Sequence, residues 1–539
     1  MSEAMVRLKI NDKVVEAPAG MNLIEAARLI GVEIPHFCYH PELCIAGNCR
    51  MCVVEAGTVR TSPTGAPVLE WSPKLTIACN TAVVEGMEVR THTPRVVEAR
   101  RGVMEFLLIN HPLDCPICDQ AGECRLQELA VDYGRAESRF VEAKEKKPKR
   151  TPLGAKIMLD DERCILCSRC VRFMRDVVKQ DCLGFVNRGS GSTLTCCPGH
   201  EPASNYDLNC VDLCPVGALT SVDFRFRQRV WFLKQTRSIC PHCSTGCNIV
   251  ISSREESVYR LTPRDNEAVN GTWMCDEGRL DYRFINDARR LTAPLVRTGG
   301  GPATTVVWTD VIPDVAKRLM TIRDRLAGGI AFIGSASATT EESFLFSRLA
   351  DTLKGTVTDV VPHNGKADDL LLRADHTPNM QGTRMTGVAA TPPGSRLHEI
   401  AEGIRDGRIQ ALVVMGEDVT TAGLDVGLLA RLELLVVIGM LPNAVTDAAQ
   451  VILPGASFAE KGGTFINHAG RLQRLYPAVA SPGQARPEWR ILSALLEQAG
   501  GKTFTSVGEV FGQMVMTFPA LSGLALDMIG PQGVALNVE

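Results

Sequence analysis

Residues 164–170 read CILCSRC, three cysteines at two-residue intervals, and Cys214-Pro215 answers them after 43 intervening residues. A C-x2-C-x2-C loop wraps one corner of a [4Fe–4S] cubane, and a closing Cys-Pro supplies the remaining thiolate. Zinc sites rarely use three cysteines so tightly spaced. Cys210-x3-Cys214-Pro215 imitates the end of a second such run, but only one half is repeated faithfully. One cubane is therefore expected, held by Cys164, Cys167, Cys170 and Cys214. Cys182, Cys196, Cys197 and Cys210 are left as small buried or surface thiols.

Working outward, the 539-residue chain carries 20 cysteines, all between Cys38 and Cys275, and residues 276–539 have none. With 58 Lys+Arg against 61 Asp+Glu the net charge is −3, so the basic field of a nucleic-acid binder is missing. No run approaches the ~18 apolar residues of a membrane span. The start, MSEAMVRLKINDKVV, has no apolar signal core, which predicts a cytosolic protein. In that reducing compartment dense cysteine reads as metal binding or catalysis rather than disulfides. The length predicts three or more domains.

Three further ligand sets flank that of Cys164, Cys167, Cys170 and Cys214, which is the third of four in chain order. Upstream, Cys38, Cys44, Cys49, Cys52 and Cys79 offer two registers, Cys44-x4-Cys49-x2-Cys52 or Cys38-x10-Cys49-x2-Cys52, either closed by the distant Cys79. Soft thiolates in a C-x2-C loop with one distal ligand suit a [2Fe–2S] cluster. A zinc ribbon would show two C-x2-C pairs. Gly47 lets the backbone approach the inorganic core. His111-x3-Cys115-x2-Cys118-x5-Cys124 follows a predicted helix end, and such a Cys3His set suits either structural zinc or a cluster. On iron, a neutral imidazole in place of a thiolate reduces the negative charge and raises the potential. Downstream, Cys240-x2-Cys243-x3-Cys247 and Cys275 suit a third cubane, with Gly246 easing the turn, and zinc again as the alternative.

Between the cysteines the periodicity predicts a multidomain α+β and α/β chain. Residues 5–16 alternate as a hairpin turning at Asn11-Asp12, and 21–31 carry helical spacing up to Gly31. With strand-like MCVVEAG and a final strand near 75–78 they make a β-grasp domain over 1–92. A Thr93-Pro94 start predicts an amphipathic helix through 96–110, opening a domain over 93–150. Its basic end, 142–152, reads as a solvated linker. A ferredoxin-like cubane domain is assigned to 151–232 and an additional cubane domain to 233–290. Over 291–539, buried-strand runs GGIAFIGSA, IQALVVMGED and LELLVVIGML alternate with helical stretches at 340–354 and 422–432, which predicts a doubly wound α/β domain.

Taken in order, the stretches PHFCYHPELCIAGNCRMCVVE, NHPLDCPICDQAGECRLQ, RCILCSRCVRF, DLCPVGALT and CPHCSTGCN with CDEGR resemble the large iron–sulfur subunit family of respiratory complex I, NADH:quinone oxidoreductase, known in bacteria as its G subunit. The resemblance implies the C-x10-C register, hence Cys38, Cys49, Cys52 and Cys79 on the [2Fe–2S] cluster, with Cys44 spare. It implies a [4Fe–4S] cluster on His111, Cys115, Cys118 and Cys124, and another on Cys164, Cys167, Cys170 and Cys214. The set Cys240, Cys243, Cys247 and Cys275 resembles the extra cubane kept by many bacterial members and absent from mitochondrial ones. SASATTEESFLFSRLA and LPGASFAEKGGTFINHAGRLQR resemble the molybdopterin-oxidoreductase superfamily. Its enzymes commonly bind molybdenum through a Cys, selenocysteine or Ser beyond the cubane. With no cysteine after Cys275, this region is read as a truncated scaffold without molybdenum, Gly462, Gly463 and Gly470 being turn residues.

No G-x-G-x-x-G follows a strand and no catalytic constellation stands out, so the chain is expected to hold no NADH or quinone site. The resemblance implies a one-electron relay within a proton-translocating enzyme. The [2Fe–2S] cluster would face a flavin/NADH-binding subunit, the His111/Cys and Cys164–Cys214 cubanes would lead toward quinone through further iron–sulfur subunits, and the Cys240–Cys275 cubane would be a side branch. It also implies a peripheral position on the cytoplasmic side of the bacterial inner membrane. Two alternatives stand beside it. One is the electron-transfer subunit of an NAD-coupled hydrogenase or formate dehydrogenase, both disfavoured by the cysteine-free tail. The other is a zinc-stabilised scaffold, which the third set opposes.

Overall fold

A computed structural model describes residues 4–61, 66–299 and 301–537. The chain divides into two compact units, Met1–Phe232 and Leu233–Glu539.

The first unit opens with the expected hairpin: Met5–Ile10 pairs antiparallel with Lys13–Pro18 across a turn at Asn11, whose φ is 54°. Asn tolerates this left-handed conformation, as a tight hairpin turn requires. Alternation puts Leu8, Ile10, Val15 and Ala17 on the buried face, against helix Leu23–Leu29. Asn22 caps that helix by accepting from the N–H groups of Ile24 and Glu25. Val53–Thr61 and Pro67–Trp71 extend the sheet. The strand that closes it is Glu88–Arg90, parallel to Met5–Ile10 and antiparallel to Val53–Thr61. The expected final strand shrinks to Thr76–Ile77, and the next turn, Ala78–Asn80, carries Cys79. Three residues give too short an alternation to betray a strand in sequence; its pairing partners lie far along the chain.

Helix Pro94–Leu108 starts at Thr93 as expected, and Thr93 accepts from Val96 N–H. Arg100 on this helix is 1 % exposed and donates to the Val53 carbonyl and the Tyr133 hydroxyl, tying the helix to the sheet and to helix Arg125–Tyr133. The basic segment 142–152 is more than a solvated linker. Lys144 Nζ donates to the Leu108 and Ile109 carbonyls at 2.7 and 2.8 Å, satisfying carbonyls a helix end leaves open. Lys149 pairs with Glu162 at 2.6 Å and Asp114 at 3.3 Å. Strands Thr151–Leu153, Ile157–Leu159 and Leu219–Ser221 form a small antiparallel sheet beneath the third cysteine set.

In the second unit, Lys234–Ile239, Asn248–Arg254 and Ser257–Pro263 make an antiparallel sheet. A seven-stranded sheet follows, with a parallel centre ordered Val451–Pro454, Leu434–Gly439, Ala411–Met415, Ile330–Gly334, Val357–Val360. Separate apolar clusters cover its two faces, the doubly wound arrangement expected of near-continuous Val/Ile/Leu strands. Helix Thr340–Thr352 begins at a capping box of Thr339 and Glu342. The helix expected over 422–432 is only Val426–Leu429, because Gly423 at φ 90° breaks the turn before it and Asp425 caps a fresh start. Gly463 lies where a Cβ would stand 2.7 Å from the Thr339 side chain, so strand Gly463–Ile466 packs directly on the helix start. Beneath it Lys461 Nζ bonds Glu342 at 2.8 Å and Glu488 at 2.7 Å, all three buried. Among the described residues no helix is long and apolar enough to cross a membrane.

Candidate metal centres

The first set lies on the loop between helix Leu23–Leu29 and strand Val53–Thr61, plus the turn after Thr76–Ile77. Cys38, Cys52 and Cys79 are buried and Cys49 half-buried. Their thiols hydrogen-bond as two pairs, Cys38 with Cys49 and Cys52 with Cys79. The partner's S–H pulls Cys38 down to about 5 and Cys52 to about 7, while the same bonds push Cys49 and Cys79 up. Within each pair one thiol is favoured as the thiolate, the form that binds a metal. Gly47, at φ 63°, turns the loop where a Cβ would press on Ile77. Cys44 stands apart, exposed, its sulfur facing Asp176 and Arg175.

The third set lines a small cavity, with Cys164, Cys167, Cys170 and Cys214 on its wall among Ile165, Phe185, Leu194 and Leu219. The tight spacing forces left-handed backbone at Leu166 and Ser168, φ 54° and 61°. Backbone N–H groups of Leu166 and Arg169 then aim at Cys164 and Cys167, and those of Val216, Ala218 and Leu219 at Cys214. Burial pushes the Cys164 and Cys214 thiols up to about 12 and Cys170 well above its ordinary value. Four bare thiolates cannot sit in such a cavity, whereas thiolates neutralised by a cationic inorganic core can. Cys210 is buried, its sulfur near the Cys170 carbonyl and off the cavity wall. Cys182, Cys196 and Cys197 lie along the hairpin of Leu183–Val186 and Thr193–Cys196.

The second set is assembled from the end of helix Pro94–Leu108, the turn Cys115–Ile117 and Cys124 at the start of helix Arg125–Tyr133. Burial drives His111 down to about 4, so its imidazole is neutral. Its Nδ1 is buried with no hydrogen-bond partner among the described residues. A buried ring nitrogen of a neutral imidazole with no protein partner has a lone pair free, which fits a metal ligand. Cys118 and Cys124 are buried and their thiols raised by desolvation.

The fourth set occupies the second unit. Cys240 ends strand Lys234–Ile239 and Cys247 precedes Asn248–Arg254, joined by Cys240 N–H donating to the Cys247 carbonyl at 2.8 Å. Cys275 starts the turn of helix Asp276–Leu280. All four are buried. A Cβ on Gly278 would stand 2.9 Å from Cys240 Sγ and 3.3 Å from Cys275 Sγ, so a side chain there would displace these sulfurs.

Contacts between the sets are the part sequence reading missed. Asn48 Nδ2 donates to the Leu166 carbonyl at 3.2 Å, and Arg169 and Arg172 reach back to the carbonyls of Tyr39 and Cys38. On the other side Arg125 N–H donates to the Pro215 carbonyl at 3.1 Å, and a Cβ on Gly217 would fall 2.3 Å from Cys118 Sγ. The third set thus touches both the first and the second.

Five stretches match family models. They are a 2Fe-2S iron-sulfur cluster binding domain over 3–94, the NADH-ubiquinone oxidoreductase-G iron-sulfur binding region over 100–139, the ferredoxin-like domain of NADH-quinone oxidoreductase subunit 3 over 154–220, an NDSU1/NuoG-like 4Fe-4S domain of NADH-ubiquinone oxidoreductase over 233–283, and molybdopterin oxidoreductase over 372–498. The G subunit of NADH-quinone oxidoreductase from Rickettsia felis is 39% identical over 349 residues, 65% of this chain and 49% of its own length. The mitochondrial NADH dehydrogenase (ubiquinone) iron-sulfur protein 1 of Solanum tuberosum is 30% identical over 633 residues, 96% of this chain and 84% of its own length. Against its first bacterial relatives the chain spans about half their length. A chain of an NAD+-reducing [NiFe]-hydrogenase in the H2-reduced state aligns with a TM-score of 0.36 and 27% identity, over 43% of this chain and 92% of that one.

Proposed function

Since the chain belongs to the family of the bacterial NADH-quinone oxidoreductase G subunits and mitochondrial iron-sulfur protein 1, we propose that it is the electron-relay subunit of an NADH:quinone oxidoreductase, with one [2Fe–2S] and three [4Fe–4S] clusters. The proposed ligands are Cys38, Cys49, Cys52 and Cys79 for the binuclear cluster. For the cubanes they are His111, Cys115, Cys118 and Cys124; Cys164, Cys167, Cys170 and Cys214; and Cys240, Cys243, Cys247 and Cys275.

The observation that carries the proposal is the order of contact, first set to third to second. Iron–sulfur clusters, when bound, accept and release single electrons, at potentials set by ligand charge, hydrogen bonds and burial. This chain's residues supply those settings. The apolar wall of Ile165, Phe185, Leu194 and Leu219 excludes water from the middle position. Neutral His111 removes one negative charge from the far end. Electrons from a flavin/NADH-binding partner would enter at the first set and leave from the second toward iron–sulfur subunits on the quinone side. The fourth set, in the other compact unit, is a side branch in this scheme, and the cysteine-free α/β region is a scaffold without molybdenum.

Metal analysis of the anaerobically purified chain, with EPR after dithionite reduction, tests this. We expect about 14 iron atoms per chain. Stoichiometric zinc with little iron would leave a scaffold as the better reading, and stoichiometric molybdenum would restore the dehydrogenase. Cys44→Ser is expected to keep every cluster signal. Loss of the [2Fe–2S] signal in that variant would mean the shorter register is the true one.

A further inference from the structure

Arg172 ends the four-residue helix Arg169–Arg172 behind the third set, where the helix widens into a π-turn, Phe173–Val177. It is 4 % exposed. One Nη donates to the Cys44 carbonyl, the other to the Cys38 carbonyl and, at 3.4 Å, to the Cys167 carbonyl. Its Nε donates to Ser168 Oγ at 3.2 Å. Each of these bonds ends on a neutral oxygen, and among the described residues no carboxylate pairs with this guanidinium. A buried cation without a counter-charge is strongly unfavourable. It is retained where something anionic sits beside it, and what flanks it on both sides are candidate cluster ligands, Cys38 and Cys167. Neighbouring Arg175 differs: it is exposed, paired with Asp176 at 2.7 Å, and reaches only the spare Cys44.

We propose that Arg172 is a positioning residue shared by the first and third centres, its buried charge stabilising the added electron on either one and thereby setting both reduction potentials. This rests on the relay proposed above. An electron delivered to either side adds negative charge next to the same fixed cation, so both potentials rise together. The driving force between them then stays small, and the fork of the guanidinium keeps the two loops in register.

The test is an EPR-monitored redox titration of the full chain, following the [2Fe–2S] signal and the cubane signal that Cys214→Ala removes. Arg172→Gln is expected to make both centres harder to reduce, by about tenfold in each equilibrium, ~59 mV for one electron. Arg172→Lys keeps the charge and should hold both potentials within about threefold. Arg175→Gln should move neither. Intact signals with unmoved potentials in Arg172→Gln, or movement of only one, would overturn the inference while leaving the relay standing. If the glutamine variant loses a signal, the lysine variant decides: retained potentials support the charge, and a tenfold fall in both overturns it. Absence of both signals from the unaltered chain would overturn the relay and this inference with it.

Discussion

Cys214→Ala is expected to cost the chain one cubane, about four of the ~14 iron atoms proposed above, while the [2Fe–2S] EPR signal survives. Among the described residues that line the cavity, Cys214 is the one long-range thiol; the other three come from a seven-residue loop. Without it the loop has no fourth sulfur to close on. Cys210 cannot substitute, because helix Asn209–Leu213 holds its sulfur against the Cys170 carbonyl, off the cavity wall. Metal binding and folding are linked in such a site, so the first unit should also unfold at lower temperature. Iron and sulfide analysis with EPR at two temperatures checks both. Full retention of iron would refute the ligand set.

The largest loss of stability without loss of iron is expected from Lys461→Met. Burial would raise Glu342, but Lys461 holds it below the usual carboxylate range, and burial pushes Glu488 up to about 8. The amine thus neutralises one carboxylate while the other keeps its proton. Removing it leaves two buried acids facing each other, and breaking a buried pair from one side costs about 3–5 kcal/mol. Glu342 also closes the capping box at the start of helix Thr340–Thr352, so that helix end loosens with it. Denaturant unfolding should show the second unit destabilised, with the EPR signals assigned to the first unit unchanged. Adding Glu488→Gln to Lys461→Met should recover part of the loss. A variant as stable as the parent would show that the triad is not structural.

Much of the site was legible because thiol chemistry is local. Cys164, Cys167 and Cys170 fall within one turn of backbone, and that spacing alone excludes most zinc geometries. The doubly wound region was legible for a similar reason: strands such as Ala411–Met415 and Leu434–Gly439 are buried on both faces and read as unbroken apolar runs. What failed were short elements defined by distant partners, such as strand Glu88–Arg90. Spacing left Cys38 and Cys44 as rivals for one position. The fold separates them, one sulfur packed toward Cys49 and the other turned out to Asp176.

By itself, then, the sequence determined which atoms could grip a metal and which segments could bury a core, since both follow from residue type and near spacing. Which cysteine-bearing loops are neighbours came from the tertiary contacts alone. That order, first to third to second, runs against chain order. It depends on hydrogen bonds from Arg172 to Cys38 and Arg125 to Pro215, and on a bare Gly217 beside Cys118, contacts across about a hundred residues that no local pattern encodes.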